Sequence, residues 1–230
     1  MGRRTYRKEV YKSKEEWLNK RGLGGSSASA ILGANPWMTS LDLYKAIVLG
    51  KKGQKNVDES NEALKYGTIM EPLIRKQFAI DFADKYKVHS PNKYEMYRRV
   101  DKPYLTATLD GLLTDIETGK KGIIEIKTHD IKNRKDDESW EISIPQNYFI
   151  QCLHYLVVLN DCEFVILNAK LRYFDYFNKD GKKLLYQKTI YHTIWRSEVI
   201  DQIEYLEKME TKFWEENIQK RRMPSLKISF

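Results

Sequence analysis

Two carboxylates and a lysine, Asp110, Glu125 and Lys127, are spaced so that they can meet across a pair of strands. Residues 122–128 alternate in character, so Glu125 and Lys127 are predicted to project from one face of a strand while the neighbouring isoleucines face a core. If this strand pairs with the preceding segment through a turn at residues 115–120, Asp110 reaches the same face. The sequence therefore predicts that two carboxylates and one ammonium group converge.

Such a cluster needs a compensating positive charge. Two nearby carboxylates repel, and one of them takes up a proton near neutral pH unless a cation lies between them. Oxygen ligands without thiolates favour Mg²⁺ or Mn²⁺ over zinc. A metal in that position activates water for phosphodiester hydrolysis, and Lys127 would orient the water or stabilise the developing negative charge. These residue types therefore favour a metal-dependent nuclease centre.

An ordinary hairpin with charges on its solvent side is the competing interpretation, because an E-x-K triplet is common by chance. The neighbouring residues weigh against it: isoleucines flank Glu125, and Asp110 precedes Gly111 at the end of an apolar, threonine-rich segment. From these residues alone, both interpretations stay open.

The composition of the 230-residue chain limits the classes of protein that it can form. Its length and its hydrophobic content of 41% predict a single domain over residues 1–230, with a flexible basic segment at residues 1–12. A net charge of +8 suits a polyanionic partner. The two cysteines form no CxxC pair, which argues against zinc and iron–sulfur sites and favours a cytoplasmic protein. No apolar run is long enough to predict a membrane span.

The elements that must position the cluster follow from periodicity and cap signals. A capping box at Ser13 begins a short helix, a glycine turn leads into a second helix with a serine near its N-cap, and Ser40 caps a third helix that Gly50 ends. A long helix is expected over residues 61–84, kinked or broken near Pro72. Further helices are predicted at 146–159 and 196–221, and strands at 94–99, 104–114, 122–128, 163–174 and 184–193.

This order predicts a mixed central sheet flanked by helices. Residues 51–60 and the charged segment 130–141 are expected to be loops, the latter either a lid facing a ligand or a solvent-exposed loop. A turn is expected at residues 178–181. Trp37 and Trp140 lie in predicted loops, where either could stack on nucleic-acid bases.

Taken together, these motifs resemble the PD-(D/E)xK nuclease superfamily and, more narrowly, the lambda exonuclease or YqaJ-like family of phage-type exonucleases. The resemblance rests on the D-x14-E-x-K spacing, on Gly67 with Glu71-Pro72, and on blocks at residues 17–44 and 145–155. It implies a restriction-endonuclease-like α/β core. It also implies an Mg²⁺-dependent 5′-to-3′ exonuclease that acts on double-stranded DNA ends and leaves 3′ overhangs for phage-type homologous recombination.

The resemblance also implies roles for individual residues. Asp110, Glu125 and the Ile126 backbone carbonyl would bind the metal. The resemblance implies two Mg²⁺ ions, which Mn²⁺ could replace. Glu71 would complete the acidic site, directly or through water, and Gln151 would contact the catalytic region. Arg21 and Ser26 would hold the 5′-phosphate of a DNA end.

Each of these added residues has a plainer interpretation. Glu71 could be a surface helix residue, Gln151 a packing residue, Ser26 a helix cap and Arg21 a solvated charge. His129 and His154 lie near the motif, but structural histidines are more common than ligands, and neither is assigned to the metal.

One departure from the family pattern concerns the end of the DNA. Family members often carry a basic residue after the Asn-Pro turn, where this chain has Trp37 and Met38. A substitute for that residue would have to come from Lys45, Lys51 or Lys52.

The resemblance further implies a ring-shaped homotrimer and a single-strand annealing protein as partner, in the host cytoplasm if the chain is phage-encoded. A site-specific or structure-specific endonuclease of the same fold is one rival. A non-catalytic DNA-binding protein on a nuclease fold is another.

Overall fold

A five-stranded mixed sheet forms the centre of the structure, a computed structural model that describes residues 5–50, 61–177 and 183–225. Side chains are described in these ranges except at residues 134, 174–177 and 183–185. The strands of the five-stranded sheet run in the order β2-β5-β6-β7-β8, with β6 and β7 parallel and the other neighbours antiparallel. These strands are β2 (Tyr86–His89), β5 (Gly111–Asp115), β6 (Lys121–Ile131), β7 (Cys162–Phe177) and β8 (Lys183–Trp195).

A second, smaller sheet has the order β1-β3-β4 and consists of β1 (Tyr6–Val10), β3 (Glu95–Arg99) and β4 (Thr106–Ala107). The expectation of a flexible segment over residues 1–12 was wrong from Tyr6 onwards, because β1 pairs antiparallel with β3 along its whole length. Its Tyr6 hydroxyl donates a buried hydrogen bond of 2.6 Å to Asp161. The basic composition of this segment concealed a strand whose partner lies some ninety residues later in the chain, so local sequence carried no signal of it.

Seven α-helices are present in the described ranges: α1 (Lys14–Lys20), α2 (Gly25–Ile31), α3 (Ser40–Val48), α4 (Glu62–Asp81), α5 (Arg134–Ile142), α6 (Gln146–Val158) and α7 (Ile200–Phe213). A 3₁₀ turn at Arg196–Glu198 precedes α7, and a π-helical stretch at Trp214–Gln219 follows it. The predicted final helix at 196–221 is therefore three segments of different helical type. The mixed sheet flanked by helices is confirmed.

The helix boundaries agree with several of the predicted caps and correct others. Ser13 caps α1, since its hydroxyl accepts from the Glu16 amide at 3.1 Å. Thr39, rather than Ser40, caps α3 in a reciprocal capping box with Asp42. Gly50 follows α3 with a φ of 62°, the left-handed conformation expected of a glycine there.

The long helix α4 is not broken at Pro72, contrary to one expectation. A proline removes one hydrogen bond of the helix ladder, and the buried side chains Ile74 and Phe78 in the following turns hold the helix against the sheet. Leu64 and Leu73, in the same helix, are exposed.

Residues 104–114, predicted as one strand, form two. β4 pairs with β3 in the small sheet and β5 pairs with β2 and β6 in the large one, so the chain changes sheets between Ala107 and Gly111. The strand-like sequence pattern continues through the change of sheets, so the sequence does not indicate where one strand ends and the next begins. The crossing places Asp110 at the junction of the two sheets.

The two faces of the large sheet are covered by different helices. Ile124 and Ile126 pack with Ile74 and Phe78 of α4 in one core cluster. The other face of the sheet packs against α6, seven of whose residues from Cys152 to Val158 are buried. Glu125, which alternates with the isoleucines along β6, consequently lies on the α6 side.

The predicted loops 51–60 and 178–181 lie outside the described residues. No helix in the ranges that the structure describes is both long and apolar enough to cross a membrane.

Candidate active site

The β5–β6 hairpin brings Asp110 and Glu125 to one place. Gly111 is paired with Ile124, so Asp110 lies directly before the paired strand and beside Glu125. The Asp110 carboxylate accepts a 2.7 Å hydrogen bond from the backbone amide of Ile126. This bond orients the carboxylate across the hairpin toward the strand that carries Glu125 and Lys127.

Glu125 is almost completely buried, with 1% of its surface exposed. One carboxylate oxygen accepts hydrogen bonds from the ammonium of Lys127 and, at 2.8 Å, from the side-chain amide of Gln151. The other oxygen is buried and has no hydrogen-bond partner among the described residues. A buried carboxylate oxygen without a partner is costly, and a bound cation is one group that would satisfy it.

The charges of these residues perturb one another. Burial raises the pKa of Asp110 well above its usual value, and the nearby charges of Glu125 and Glu71 raise it further, while Lys127 opposes them. Burial lowers the pKa of Lys127, but Glu125 and Asp110 outweigh this and raise its pKa, so it stays protonated. The site thus combines a charged ammonium group with two carboxyl groups, of which Asp110 keeps its proton to a higher pH than a free aspartate does.

Gln151 is positioned by helix α6 and by a close approach of helix α2. Its amide also donates to the hydroxyl of Tyr155, one turn further along α6, at 2.6 Å. A Cβ on Gly25 would lie 2.5 Å from Cγ of Gln151, so only glycine fits where α2 faces this side chain. The backbone of α2 therefore forms one wall around Gln151.

Arg21 and Ser26 belong to the segment that precedes and begins α2, and both are exposed. The Arg21 guanidinium lies 4.7 Å from the centre of the Trp17 ring. Desolvation lowers the pKa of Arg21, and the nearby Tyr155 opposes this shift. The N-cap of α2 is Gly24, with no side-chain cap bond, so the serine expected at that position is not the cap.

A cleft of about 140 Å³ joins these groups. It is lined by Arg21, Gly24, Gly25, Ser26, Thr106, Thr108, Asp110, Glu125, Lys127, Gln151 and Tyr155. Six of the residues selected from the sequence therefore share one small cavity. Thr106, Thr108 and Tyr155 received no role in the sequence analysis, although Tyr155 is one helical turn from Gln151 and both threonines precede Asp110.

Glu71 lies on α4, beside this cleft rather than in its lining. Its carboxylate accepts from the guanidinium of Arg75 at 3.1 Å, and the same guanidinium nitrogen donates to the backbone carbonyl of Asp110. Arg75 thus connects Glu71 to the strand that carries Asp110. The spacing of four residues between Glu71 and Arg75 was the available sequence signal for this pair.

No group of three or more histidine, cysteine or acidic side chains in the described ranges is arranged to hold a metal ion. The donor set that fits a cation is smaller: the unpartnered Glu125 oxygen and the adjacent Asp110 carboxylate. These hard oxygen donors suit Mg²⁺ or Mn²⁺.

The two histidines near the motif have structural partners. His129 contacts the Asp136 carboxylate at 3.0 Å. His154 is fully buried between Glu210 and the Thr106 carbonyl. Burial lowers the pKa of His154, but the charge of Glu210 and the hydrogen bonds to both partners produce a net rise.

Trp140 does not lie in an open loop. Residues 134–142 form α5, and Trp140 is 1% exposed, packed near His129 and Tyr148. The high charge of residues 130–141 pointed to a loop, whereas the charges occupy the outer side of an amphipathic helix. Trp37 is 61% exposed, and its predicted stacking on bases stays a prediction.

Of the lysines considered as substitutes after the Asn-Pro turn, Lys45 is exposed on α3 and does not line the cleft. Lys51 and Lys52 lie outside the described residues.

The fold is one shared with alkaline exonucleases. It matches the alkaline exonuclease LHK-Exo from Laribacter hongkongensis with a TM-score of 0.56 at 18% identity, covering 91% of this chain and 97% of that chain. A second structure, LHK-Exo in complex with dAMP, matches with a TM-score of 0.51 at 16% identity, covering 92% of this chain and 100% of that chain.

Sequence comparison identifies the family. Residues 16–162 match the YqaJ-like viral recombinase domain, which is well over half of the chain, and the chain belongs to that family. It is also 37% identical over 150 residues to the protein YqaJ of Bacillus subtilis strain 168. That alignment covers 64% of this chain and 43% of the relative, so the chain spans less than half of the relative's length.

Proposed function

We propose that the protein is a divalent-metal-dependent deoxyribonuclease that degrades double-stranded DNA from its ends. The observation that carries the proposal is the single cleft in which Asp110, Glu125 and Lys127 meet Arg21 and Ser26. A group that binds a terminal phosphate beside a group that cleaves a phosphodiester is what an exonuclease requires. Family membership and the fold shared with LHK-Exo support the same class of reaction.

Asp110 and Glu125 would hold the metal, with the Ile126 carbonyl as a further ligand and Glu71 acting through water. The bound metal supplies Lewis-acid stabilisation of the phosphoryl oxygens and a nucleophilic water at neutral pH. Mg²⁺ is the proposed ion, Mn²⁺ its substitute, and two ions the proposed number. The partnerless oxygen of Glu125 supports a cation at this carboxylate.

The side chains around these carboxylates have distinct tasks. Lys127, held protonated between Glu125 and Asp110, stabilises negative charge that develops on the phosphate. Gln151 holds Glu125 in place through its 2.8 Å hydrogen bond. Arg21 and Ser26 bind the terminal 5′-phosphate, the arginine through charge-assisted hydrogen bonds and the serine through its hydroxyl.

The proposed direction of digestion rests on the assignment of the terminal 5′-phosphate to Arg21 and Ser26. With the 5′-phosphate at Arg21 and the scissile bond at Asp110 and Glu125, the enzyme removes nucleotides from the 5′ end and leaves 3′ single-stranded overhangs. Such overhangs suit recombination, in line with the family's description as viral recombinases. We further propose a homotrimer, a single-strand annealing protein as partner, and action in the cytoplasm of a phage-infected host.

The decisive experiment compares linear duplex DNA carrying a 5′-phosphate, linear DNA carrying a 5′-hydroxyl, and closed circular DNA, each incubated with Mg²⁺. We expect rapid digestion of the first, slower digestion of the second and none of the third. Equal digestion of circular DNA would establish the endonuclease alternative.

Two variants of the same chemical type locate the active site. Asp110→Asn should lower the rate by at least about a hundredfold, because it removes a charged metal ligand. Asp84→Asn, the same change at an exposed residue, should leave the rate unchanged. Full activity in Asp110→Asn would refute the assignment of the site, and binding without cleavage by the wild-type chain would favour a non-catalytic DNA-binding protein.

A further inference from the structure

A buried ion pair connects helix α7 to the floor of the cleft. His154 of α6 and Glu210 of α7 both have fully buried side chains and meet at 2.6 Å, through Nδ1 of the histidine and Oε1 of the glutamate. The other ring nitrogen of His154, Nε2, lies 2.9 Å from the backbone carbonyl of Thr106. Glu210 lies outside residues 16–162, the segment that matches the family.

The protonation state follows from this geometry. Each ring nitrogen faces an oxygen acceptor, and a neutral imidazole can donate from only one nitrogen. The positively charged imidazolium donates from both. His154 therefore fits both contacts as an imidazolium, which hydrogen-bonds a carboxylate on one side and a backbone carbonyl on the other.

General stability does not account for this pair. Removing two charges from water costs about as much as their attraction returns, so an apolar pair of similar size would stabilise the core equally well. The second oxygen of Glu210 also has no hydrogen-bond partner among the described residues. Unlike apolar packing, the ion pair fixes the orientation of the imidazole ring. The ring in turn holds the Thr106 carbonyl at a set distance from α6.

Thr106 is the residue through which the cleft walls are connected. Its amide donates to the Leu23 carbonyl at 2.9 Å, and its hydroxyl accepts from the Gly22 amide at 3.1 Å. It therefore holds the segment that carries Arg21 against β4. Asp110 lies four residues after Thr106 in the chain.

We propose that His154 and Glu210 are positioning residues that hold β4, and with it Asp110 and the Arg21 segment, in register with Gln151 on α6. This inference rests on the proposed nuclease function for its kinetic consequences, while its structural consequence can be measured independently. Helix α7 thereby takes part in the site without lining the cleft.

The kinetic test uses three variants of the full chain on linear, 5′-phosphorylated duplex DNA with Mg²⁺. Glu210→Gln removes the negative partner and leaves a group of the same shape. His154→Asn retains a donor near Nδ1 and loses the bond to Thr106, whereas His154→Gln retains a donor near Nε2. We expect kcat per folded molecule to fall about tenfold in Glu210→Gln and further in His154→Asn than in His154→Gln, with KM changed less than about twofold.

Tyr6→Phe is the matched control, because it also removes a buried hydrogen bond to a carboxylate but does so outside the cleft. It should lower the melting temperature and leave kcat unchanged. If Glu210→Gln and His154→Asn likewise lose only stability, with kcat per folded molecule as in the wild type, the pair is merely structural and the inference is wrong.

Hydrogen exchange separates this inference from the proposed function. Amides of residues 105–111 should exchange faster in Glu210→Gln than in the wild type, and no faster in Tyr6→Phe. Unchanged exchange in Glu210→Gln would overturn the positioning role even in an active nuclease. A wild-type chain without nuclease activity would refute the proposed function and leave the exchange result valid.

Discussion

Replacing Gly25 with alanine tests the close packing of helix α2 on Gln151. The added Cβ would lie 2.5 Å from Cγ of Gln151 and 3.3 Å from both its Cβ and its Cδ. An ordinary carbon–carbon contact is about 3.5–4.0 Å, so the two groups must separate by roughly 1 Å. Cγ is in the middle of the side chain, so Gln151 cannot yield without moving its amide.

The magnitude follows from the bonds that this movement breaks. The Gln151 amide donates to Glu125 at 2.8 Å and to Tyr155 at 2.6 Å, and a shift of 1 Å takes both beyond hydrogen-bonding distance. Misplacement of that size costs about a hundredfold in rate. Overpacking should also lower the free energy of unfolding by about 1–3 kcal/mol, partly offset by the smaller chain entropy of alanine.

The assay is a double-mutant cycle of Gly25→Ala and Gln151→Ala, measured as kcat on linear duplex DNA and corrected for folded protein by urea titration. If alanine at position 25 acts through Gln151, the double variant should be about as active as Gln151→Ala alone. Fully multiplicative losses would refute the reasoning, and so would wild-type activity in Gly25→Ala.

Three further perturbations follow from the structure. Arg75→Met removes the guanidinium that joins Glu71 to the Asp110 carbonyl, and the Mg²⁺ concentration for half-maximal activity should rise by about tenfold. Trp140→Ala should lower the free energy of unfolding by about 3–5 kcal/mol in urea titrations, because this side chain is 1% exposed. The stabilisation contributed by His154 should be complete below its unfolded pKa of 6.5 and be lost as pH rises through its raised folded pKa.

The controls for these three differ. Arg75→Lys, which keeps the charge, should restore part of the Mg²⁺ affinity, and an unchanged requirement in Arg75→Met would contradict the connecting role. Trp140→Phe should recover much of the stability that alanine loses. For the histidine, the melting temperature of the wild type is compared with that of His154→Gln/Glu210→Gln from pH 6 to 9. If the melting temperature of the wild type exceeds that of the double variant by more as pH rises, the predicted direction of the pH dependence is wrong.

The parts of the fold that the sequence predicted share one physical basis, which is local periodicity. The β5–β6 hairpin and helix α6 each have an apolar pattern that reports the burial of the same residues. The capping box at Ser13 and the left-handed Gly50 are likewise local, since the hydrogen bonds and backbone angles involved span a few residues. Elements whose stability comes from distant partners gave no such signal.

Strand β1 and helix α5 show where local patterns are insufficient. β1 is short and basic, and its hydrogen bonds come from β3, far along the chain. In α5, acidic and basic residues outnumber apolar ones, and Trp140 is the residue that is buried among those whose side chains the structure describes. In both, tertiary pairing outweighs local composition.

The sequence by itself determined the chemistry available at the site, because side-chain type and strand alternation place Glu125 and Lys127 together whatever the rest of the chain does. It did not determine which other residues meet them. The approach of Gly25 to Gln151 and the burial of His154 against Glu210 join segments separated by tens of residues. The change of sheets before Asp110 depends on which strands pair on either side of it. Such contacts depend on how the sheets and helices pack, and only the tertiary structure records that packing.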